Sequence, residues 1–213
     1  MSTYVDFPVC LRLQGKRVLL VGAGNIADER SQQLVEAGAR LRVVAPGISA
    51  TIRRLADEGR LELLERAYAP GDVRGQDVVF VATDDRRVSQ AVADEAHALG
   101  IWVNTADIPE LCDFTLPSTG RRGPIVVAVS TSGLAPALAR QLRQRFLEQV
   151  RPGHVQLARL SGWLRKRLPR GSERMRLLKH LVEGEAGELL ARGQRRAAWA
   201  RVRAALETFG ETR

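Results

Sequence analysis

The chemistry this sequence can do begins with Gly22-Ala23-Gly24-Asn25-Ile26-Ala27, which follows the continuous apolar run Val18-Leu19-Leu20-Val21. A Gly-x-Gly-x-x-Ala turn between a strand and a helix suits a dinucleotide. The first glycine permits the tight turn, the second admits a pyrophosphate to the backbone, and the small third residue lets the helix pack on the strand. The helix N-terminus adds unpaired N–H groups and partial positive charge. Nicotinamide chemistry also needs a substrate presented to the ring, and often a base for the proton released with the hydride. Asp107 is the candidate base, because it follows the fifth predicted strand at the edge where ligands bind. An Asx turn ahead of Ile108-Pro109 is the competing reading of the same residue.

Those residues need a scaffold, and the hydrophobic pattern supplies one. The helix after the glycine turn reads from Ile26 to Ala37, closed by Gly38. A second strand spans Leu41 to Ala45, followed by Pro46-Gly47 and a helix from Ile48 to Glu58. Further strands read at Leu61 to Leu64, Val78 to Ala82 and Ile101 to Val103, with a helix from Arg87 to Leu99. Apolar strands alternating with helices predict an α/β fold, a Rossmann-like parallel sheet covered on both faces. Ligands bind beyond the carboxyl ends of such strands, which selects Gly22 to Ala27, Thr83-Asp84-Asp85 and Asn104-Thr105-Ala106-Asp107.

The pattern changes after residue 113. Phe114 to Pro117, the turn Arg121-Arg122-Gly123-Pro124 and the run Ile125 to Val129 read as a β-hairpin attached to the Rossmann sheet. An apolar ribbon of this kind is marginal alone, so a partner subunit or the C-terminal helices are expected to cover it. Pro136 opens a helix in which Leu138, Leu142 and Phe146 repeat at helical spacing, and Pro152-Gly153 breaks it. Leucines from Leu157 to Leu206, with Trp199 and Val202, then predict a small helical domain. The organisation expected is a cofactor-binding domain over 1–113, a hairpin and helix region over 114–150, and a basic helical domain over 151–213.

Composition narrows the classes. An apolar fraction of 45% excludes a disordered chain, and no stretch reaches the roughly 18 apolar residues of a membrane span. The segment Met1 to Asp6 has neither the basic nor the apolar region of a leader, so a cytoplasmic protein is expected. Cys10 and Cys112 read as small apolar fillers, and His97, His154 and His180 lack ligand spacing, so no fixed metal is expected. The net charge of +9 lies in the last third: residues 151–213 carry 15 Lys and Arg against 6 Glu, while residues 1–150 carry 18 of each sign. That segment suits nucleic acid, an anionic membrane or a polycarboxylate ligand, or is a solvated helical surface.

The ordered set of segments resembles one family. The Gly22 to Ala27 loop, Ala82-Thr83-Asp84-Asp85, Asn104-Thr105-Ala106-Asp107-Ile108-Pro109, Phe114-Thr115-Leu116-Pro117-Ser118, and Val127 to Gly133 with Pro136 and Leu138-Ala139-Arg140 stand in the order seen in precorrin-2 dehydrogenases. Over essentially its whole length the chain resembles the dehydrogenase/ferrochelatase module of siroheme synthase. The resemblance implies oxidation of precorrin-2 to sirohydrochlorin with NAD⁺, insertion of Fe²⁺ as a chelatase (lyase) substrate, and a homodimer with interleaved hairpin regions. With the chain ending at Arg213, it also implies that the methyltransferase module of some relatives is absent. By position it makes Asp107 the shared acid–base residue of both reactions. It makes Asn25, Ile26, Pro46 and Gly47 cofactor contacts, beside Gly22, Gly24, Ala27, Thr83 and Asp84. Thr131 lies where some relatives have a serine near the tetrapyrrole.

Two departures stand out: Ala23 replaces the middle glycine of the family's triple-glycine loop, and Ser132-Gly133 replaces a Gly-Gly pair. The tetrapyrrole is a polycarboxylate, which arginines would attract and orient through bidentate pairs. Arg121, Arg122, Arg140 and Arg143 are candidates for that task, with Asn104, Thr131 and Ser132 as further substrate contacts. Neither an acid nor an arginine ends the second strand, at Ala45-Pro46, so the preference for NAD⁺ comes from the resemblance. The competing function is a nucleotide-sensing regulatory module whose basic domain contacts a partner protein or nucleic acid. It leaves Asp107 and the hairpin without a task, and the C-terminal helices carry no recognition-helix signature. The reading adopted therefore has no nucleic-acid or membrane partner.

Overall fold

Strands β1 (Arg17–Val21), β2 (Arg40–Val44), β3 (Glu62–Leu64), β4 (Val78–Val81) and β5 (Trp102–Thr105) form a parallel sheet in the order β3-β2-β1-β4-β5. This computed structural model describes residues 6–211, so Met1–Val5, read above for the absence of a leader, and the final two residues lie outside it. Alternation along each strand divides the core. Val18, Leu20, Val43 and Phe80 pack under α1 (Asn25–Glu36) and α2 (Ala50–Asp57). Leu19, Val21, Val79 and Val103 pack under α3 (Arg86–Ala98). Burial on both faces is why the strands read as unbroken apolar runs. The chain separates into two compact units, Met1–Thr115 and Leu116–Arg213.

Helix ends follow local chemistry. Gly38, at φ 79°, takes the left-handed position after α1; its N–H donates to Val35 O and that of Ala39 to Leu34 O. Ser49 caps α2 by accepting from the Ile52 N–H, and Asp85 caps α3 by accepting from those of Arg87 and Val88. The expected α2 start at Ile48 therefore moves to Ala50, after the cap.

No helix joins β3 to β4; residues 65–77 are held by side chains instead. Arg66 makes a bidentate pair with Asp72 (2.6 and 2.8 Å), which also accepts from the Ala69 N–H. Tyr68 donates to Glu95 on α3, whose carboxylate also accepts from the Gly71 N–H, and Val73 is fully buried. The Arg66 hydrogen bonds hold the Asp72 carboxyl below its usual value. A lowered folded pKa gives stability that is present above the unfolded value near pH 4 and lost as pH falls through the folded value. Asp72→Asn is therefore expected to flatten the acid limb of the thermal midpoint against pH below about pH 4. A variant limb parallel to wild type would refute it.

In the second unit β6 (Ser118–Arg122) and β7 (Ile125–Val129) form their own antiparallel two-stranded sheet, with Ser118 opposite Val129 and Arg122 opposite Ile125. This corrects the expected attachment to the Rossmann sheet: among the described residues no ladder joins the two sheets, and α4 (Pro136–Gln149) covers one face of the hairpin. A side chain at Gly120 would press on Leu147 and Arg143, so α4 turns the face carrying Ala139, Arg143 and Leu147 to the hairpin. The predicted stripe is on another face; Leu138 and Phe146 are each 47% exposed.

Helices α5 (Pro152–Arg167), α6 (Ser172–Glu183), α7 (Glu185–Ala191) and α8 (Arg195–Glu211) follow. Pro152 both ends the preceding helix and opens α5 at its first position, while Gly153 admits the Leu190 carbonyl, with which any side chain would overlap. Leu160, Leu164, Leu177, Leu178, Leu181 and Val202 form the core of this part. Trp199 does not join it; Ala198 and Val202 carry the buried face of α8.

Candidate functional site: the carboxyl edge of the parallel sheet

The sheet register aligns Val21 with Val44 and Val81, and Val81 with Thr105. The segments that follow, 22–27, 45–49, 82–85 and 106–108, therefore share one edge. The strand order reverses between β1 and β4, the position where doubly wound folds leave a crevice. The approach there is tight: Gly22 has φ 112°, its N–H donates to Val44 O (2.9 Å), and a side chain would overlap the Ala82 carbonyl. Gly24 is the opposite case. It is exposed, precedes α1 with φ −81° and ψ −172°, and has open space where a side chain would stand.

The start of α1 has no side-chain cap, unlike α2 and α3. Its first intrahelical bond runs from Asp28 N–H to Gly24 O (3.0 Å), and among the described residues the N–H groups of Asn25, Ile26 and Ala27 have no acceptor. Three free donors, a partial positive charge and an unobstructed glycine suit a pyrophosphate. Ala27 is fully buried against the sheet, as the small third position requires, and Asn25 and Ile26 are exposed. Pro46 and Gly47 are exposed on the neighbouring loop. Ser49 ties that loop to α1, because its hydroxyl donates to the Asp28 carboxylate while capping α2. The sequence reading missed this link, although the spacing of Ser49 before Ile52 is a cap signal. Thr83 Oγ1 accepts from the Asp85 N–H (3.3 Å), and Asp84 is exposed.

Asp107 stands on a turn beyond β5 with φ 61°, exposed, and among the described residues its carboxylate has no hydrogen bond or ion pair. It makes no Asx bond. Asn104 Nδ2 donates to Phe114 O (2.8 Å), which commits half of that side chain to closing the loop. Cys112 corrects the reading of both cysteines as apolar fillers: Cys10 is exposed, and the Cys112 sulfur lies 3.2 Å from both Thr105 N and Thr105 O. Burial pushes the Cys112 thiol above its usual value.

The remaining predicted contacts lie in the second unit. Arg121 and Arg122 end β6, whereas Thr131 and Ser132 follow β7, and the antiparallel register puts the two pairs at opposite ends of the hairpin. Arg121 is exposed; Arg122 donates to the Val150 carbonyl at the end of α4. Thr131 Oγ1 accepts from the Ala135 N–H (3.1 Å), and the Ser132 N–H, at φ 48°, donates to Ser130 Oγ. Arg140 is exposed one turn into α4, and Arg143 Nε reaches Ser118 Oγ (3.4 Å) at this same end. Among the described residues, no group of three or more His, Cys, Asp or Glu is placed to hold a metal ion, and no helix is long and apolar enough to cross a membrane.

Residues 9–118 match the family model described as "Putative NAD(P)-binding". The chain belongs to that NAD(P)-binding family. Residues 122–149 match the model "Sirohaem biosynthesis protein central". The chain is 40% identical over 195 residues to a siroheme synthase of Pseudomonas paraeruginosa, covering 89% of this chain and 42% of that protein. It is 39% identical over 191 residues to a siroheme synthase of Methylococcus capsulatus, covering 88% and 40%. The chain thus spans about two-fifths of the length of these curated relatives. A solved structure, "SirC, precorrin-2 dehydrogenase", superposes with a TM-score of 0.75 at 25% identity, covering 96% of this chain and 99% of that one. Its fold shares the parallel sheet, hairpin and C-terminal helices described here. These relatives are the ones to which the ordered motifs of the sequence point.

Proposed function

We propose that this chain oxidises precorrin-2 to sirohydrochlorin with NAD⁺. The carrying observation is the open N-terminus of α1 on the same sheet edge as the unpartnered carboxylate of Asp107. Gly22, Gly24 and Ala27 shape the pyrophosphate turn, the N–H groups of Asn25, Ile26 and Ala27 meet its charge, and Pro46, Gly47, Thr83 and Asp84 border the nucleotide. NAD⁺, when bound, supplies the hydride acceptor. Precorrin-2 loses two hydrogens, one as hydride to the nicotinamide and one as a proton to the Asp107 carboxylate, which passes it to solvent. Asn104, through Oδ1, and Thr131, Ser132 and Arg140 are assigned to the substrate with Arg121 and Arg122; Arg121 and Arg140 meet its carboxylates, and Arg122 does so with the N–H groups that its bond to the Val150 carbonyl leaves free. A cytoplasmic location, where NAD⁺ is at hand, fits this chemistry. Insertion of Fe²⁺ into the product is the second reaction assigned to the site, with Asp107 taking the displaced pyrrole protons and iron as substrate.

The deciding experiment is NADH formation on adding precorrin-2 generated in situ to the purified chain with NAD⁺, followed by absorbance with and without Fe²⁺. Bound NAD⁺ with no turnover of precorrin-2 would leave the nucleotide-sensing module as the better reading.

A homodimer belongs to the same proposal. Leu138 and Phe146 on α4 and, on the hairpin face turned away from α4, Val126, the last 43% exposed, are apolar side chains that the described residues leave uncovered. The opposite placement of Arg121 and Thr131 also means that one chain's hairpin cannot gather all the predicted contacts at one point. Light scattering is expected to give about twice the 23.4 kDa chain mass. A monomer at micromolar concentration would reject the dimer.

A further inference from the structure

The turn that carries Asp107 has an unusual support. A residue other than glycine at φ 61° sits in the sparsely populated left-handed region, which aspartate tolerates best when its own side chain bonds locally. Here that side chain makes no such bond, so the turn is held from elsewhere. Cys112 holds it from inside the loop. Its sulfur lies 3.2 Å from Thr105 N, 3.2 Å from Thr105 O and 3.4 Å from Ile108 O. Asn104 Nδ2 adds a fourth, longer contact at 3.7 Å. One thiol thus accepts from the strand end before Asp107 and faces the carbonyls on both sides of it. Because burial keeps the thiol protonated, its donor is present at neutral pH.

The base of the loop is closed independently. Asp113 accepts from the Val103 N–H through Oδ2 (2.8 Å) and donates its own N–H to Val103 O (2.9 Å). Asn104 bonds Phe114 O, and Leu111 is buried beside these contacts. Removing the thiol should therefore loosen the turn while the loop ends stay in place.

We propose that Cys112 is the positioning residue for Asp107, its thiol fixing the 105–108 turn and so the place of the carboxylate that takes the substrate proton. The proposal rests on the dehydrogenase reading of the site. It assigns Cys112 no contact with substrate or cofactor.

Cys112→Val is the test variant, because valine is of similar size and suits the extended backbone at φ −99° and ψ 131° but offers no polar atom. Cys112→Ser keeps a donor and an acceptor. Measured per NAD⁺-binding site, kcat of the valine variant is expected to fall about 10- to 100-fold, the scale of an ångström-level misplacement. KM for NAD⁺ should stay unchanged, exchange of the Thr105 amide, which donates to the sulfur, should quicken while that of Ala106, held by Val81 O, stays slow, and serine should restore most of the rate. Two outcomes overturn the proposal: a valine variant with wild-type kcat per site, even with a lower thermal midpoint, or unchanged amide exchange in that variant. Wild-type protein that binds NAD⁺ but leaves precorrin-2 unoxidised overturns instead the reading beneath it, and with it the catalytic half of this proposal.

Discussion

Asp107→Asn is expected to lower the rate of NADH formation from precorrin-2 by about 10²- to 10⁴-fold, the range of a lost acid–base group, with little change in thermal midpoint. Asparagine is well tolerated in the left-handed region that Asp107 occupies, so the turn survives while the proton acceptor is lost. Asp107→Ala should lose as much rate and also some stability, at most about 1 kcal/mol, because alanine tolerates the left-handed region less well than aspartate or asparagine although the carboxylate it removes makes no local bond. The difference between the two variants separates chemistry from backbone strain. Iron insertion into sirohydrochlorin should fall in parallel if one carboxylate serves both reactions. The measurement is initial rate beside thermal midpoint for both variants, and near-normal turnover by the asparagine variant removes Asp107 from the mechanism.

Gly24→Asp is expected to weaken NAD⁺ binding by about 10³-fold while leaving the fold intact. The backbone at Gly24 is extended and the space beside it open, and aspartate is among the best N-cap residues, so α1 should form at least as well. The new carboxylate would face the pyrophosphate. Two unit charges about 4 Å apart repel by roughly 4 kcal/mol at an effective dielectric constant of 20, which is about three decades in affinity. Gly22 offers no such separation, because any side chain there meets the Ala82 carbonyl and disturbs the junction of β1 and β4. Calorimetry on Gly24→Asp decides the matter: wild-type affinity would remove the glycine loop from the cofactor site.

The first βα unit was legible because its chemistry is local. The glycine turn, the buried Ala27 and the helix end at Gly38 each follow from conformational limits that act within a few residues. The hairpin was legible as a hairpin for the same reason, since the turn residues and strand propensities lie side by side. Its attachment was not, because β-strand patterning does not say which edge a strand meets, and only the packing of Ala139, Arg143 and Leu147 chooses a face of α4. Leu138 and Phe146 carry the more obvious apolar spacing but are half exposed. Trp199 went astray by one position on α8, about 100° of helical rotation, which turns a core residue into a surface one.

At the site, residue type and order along the chain determined which segments could bind a dinucleotide and which carboxylate could take a proton. Both depend on motifs read within short windows, placed by the rule that ligands gather at the carboxyl ends of parallel strands. Tertiary structure decided how those residues are held. The Ser49–Asp28 link across 21 positions and the commitment of Arg122 to the Val150 carbonyl join groups distant in sequence, and the Cys112 contacts, though only four to seven positions apart, depend on how the loop folds back around Asp107. A lone thiol or serine looks the same in sequence whether it fills space or organises a turn. Its role is set by which backbone groups the fold brings within hydrogen-bonding distance, and that distance exists only once the chain has closed on itself.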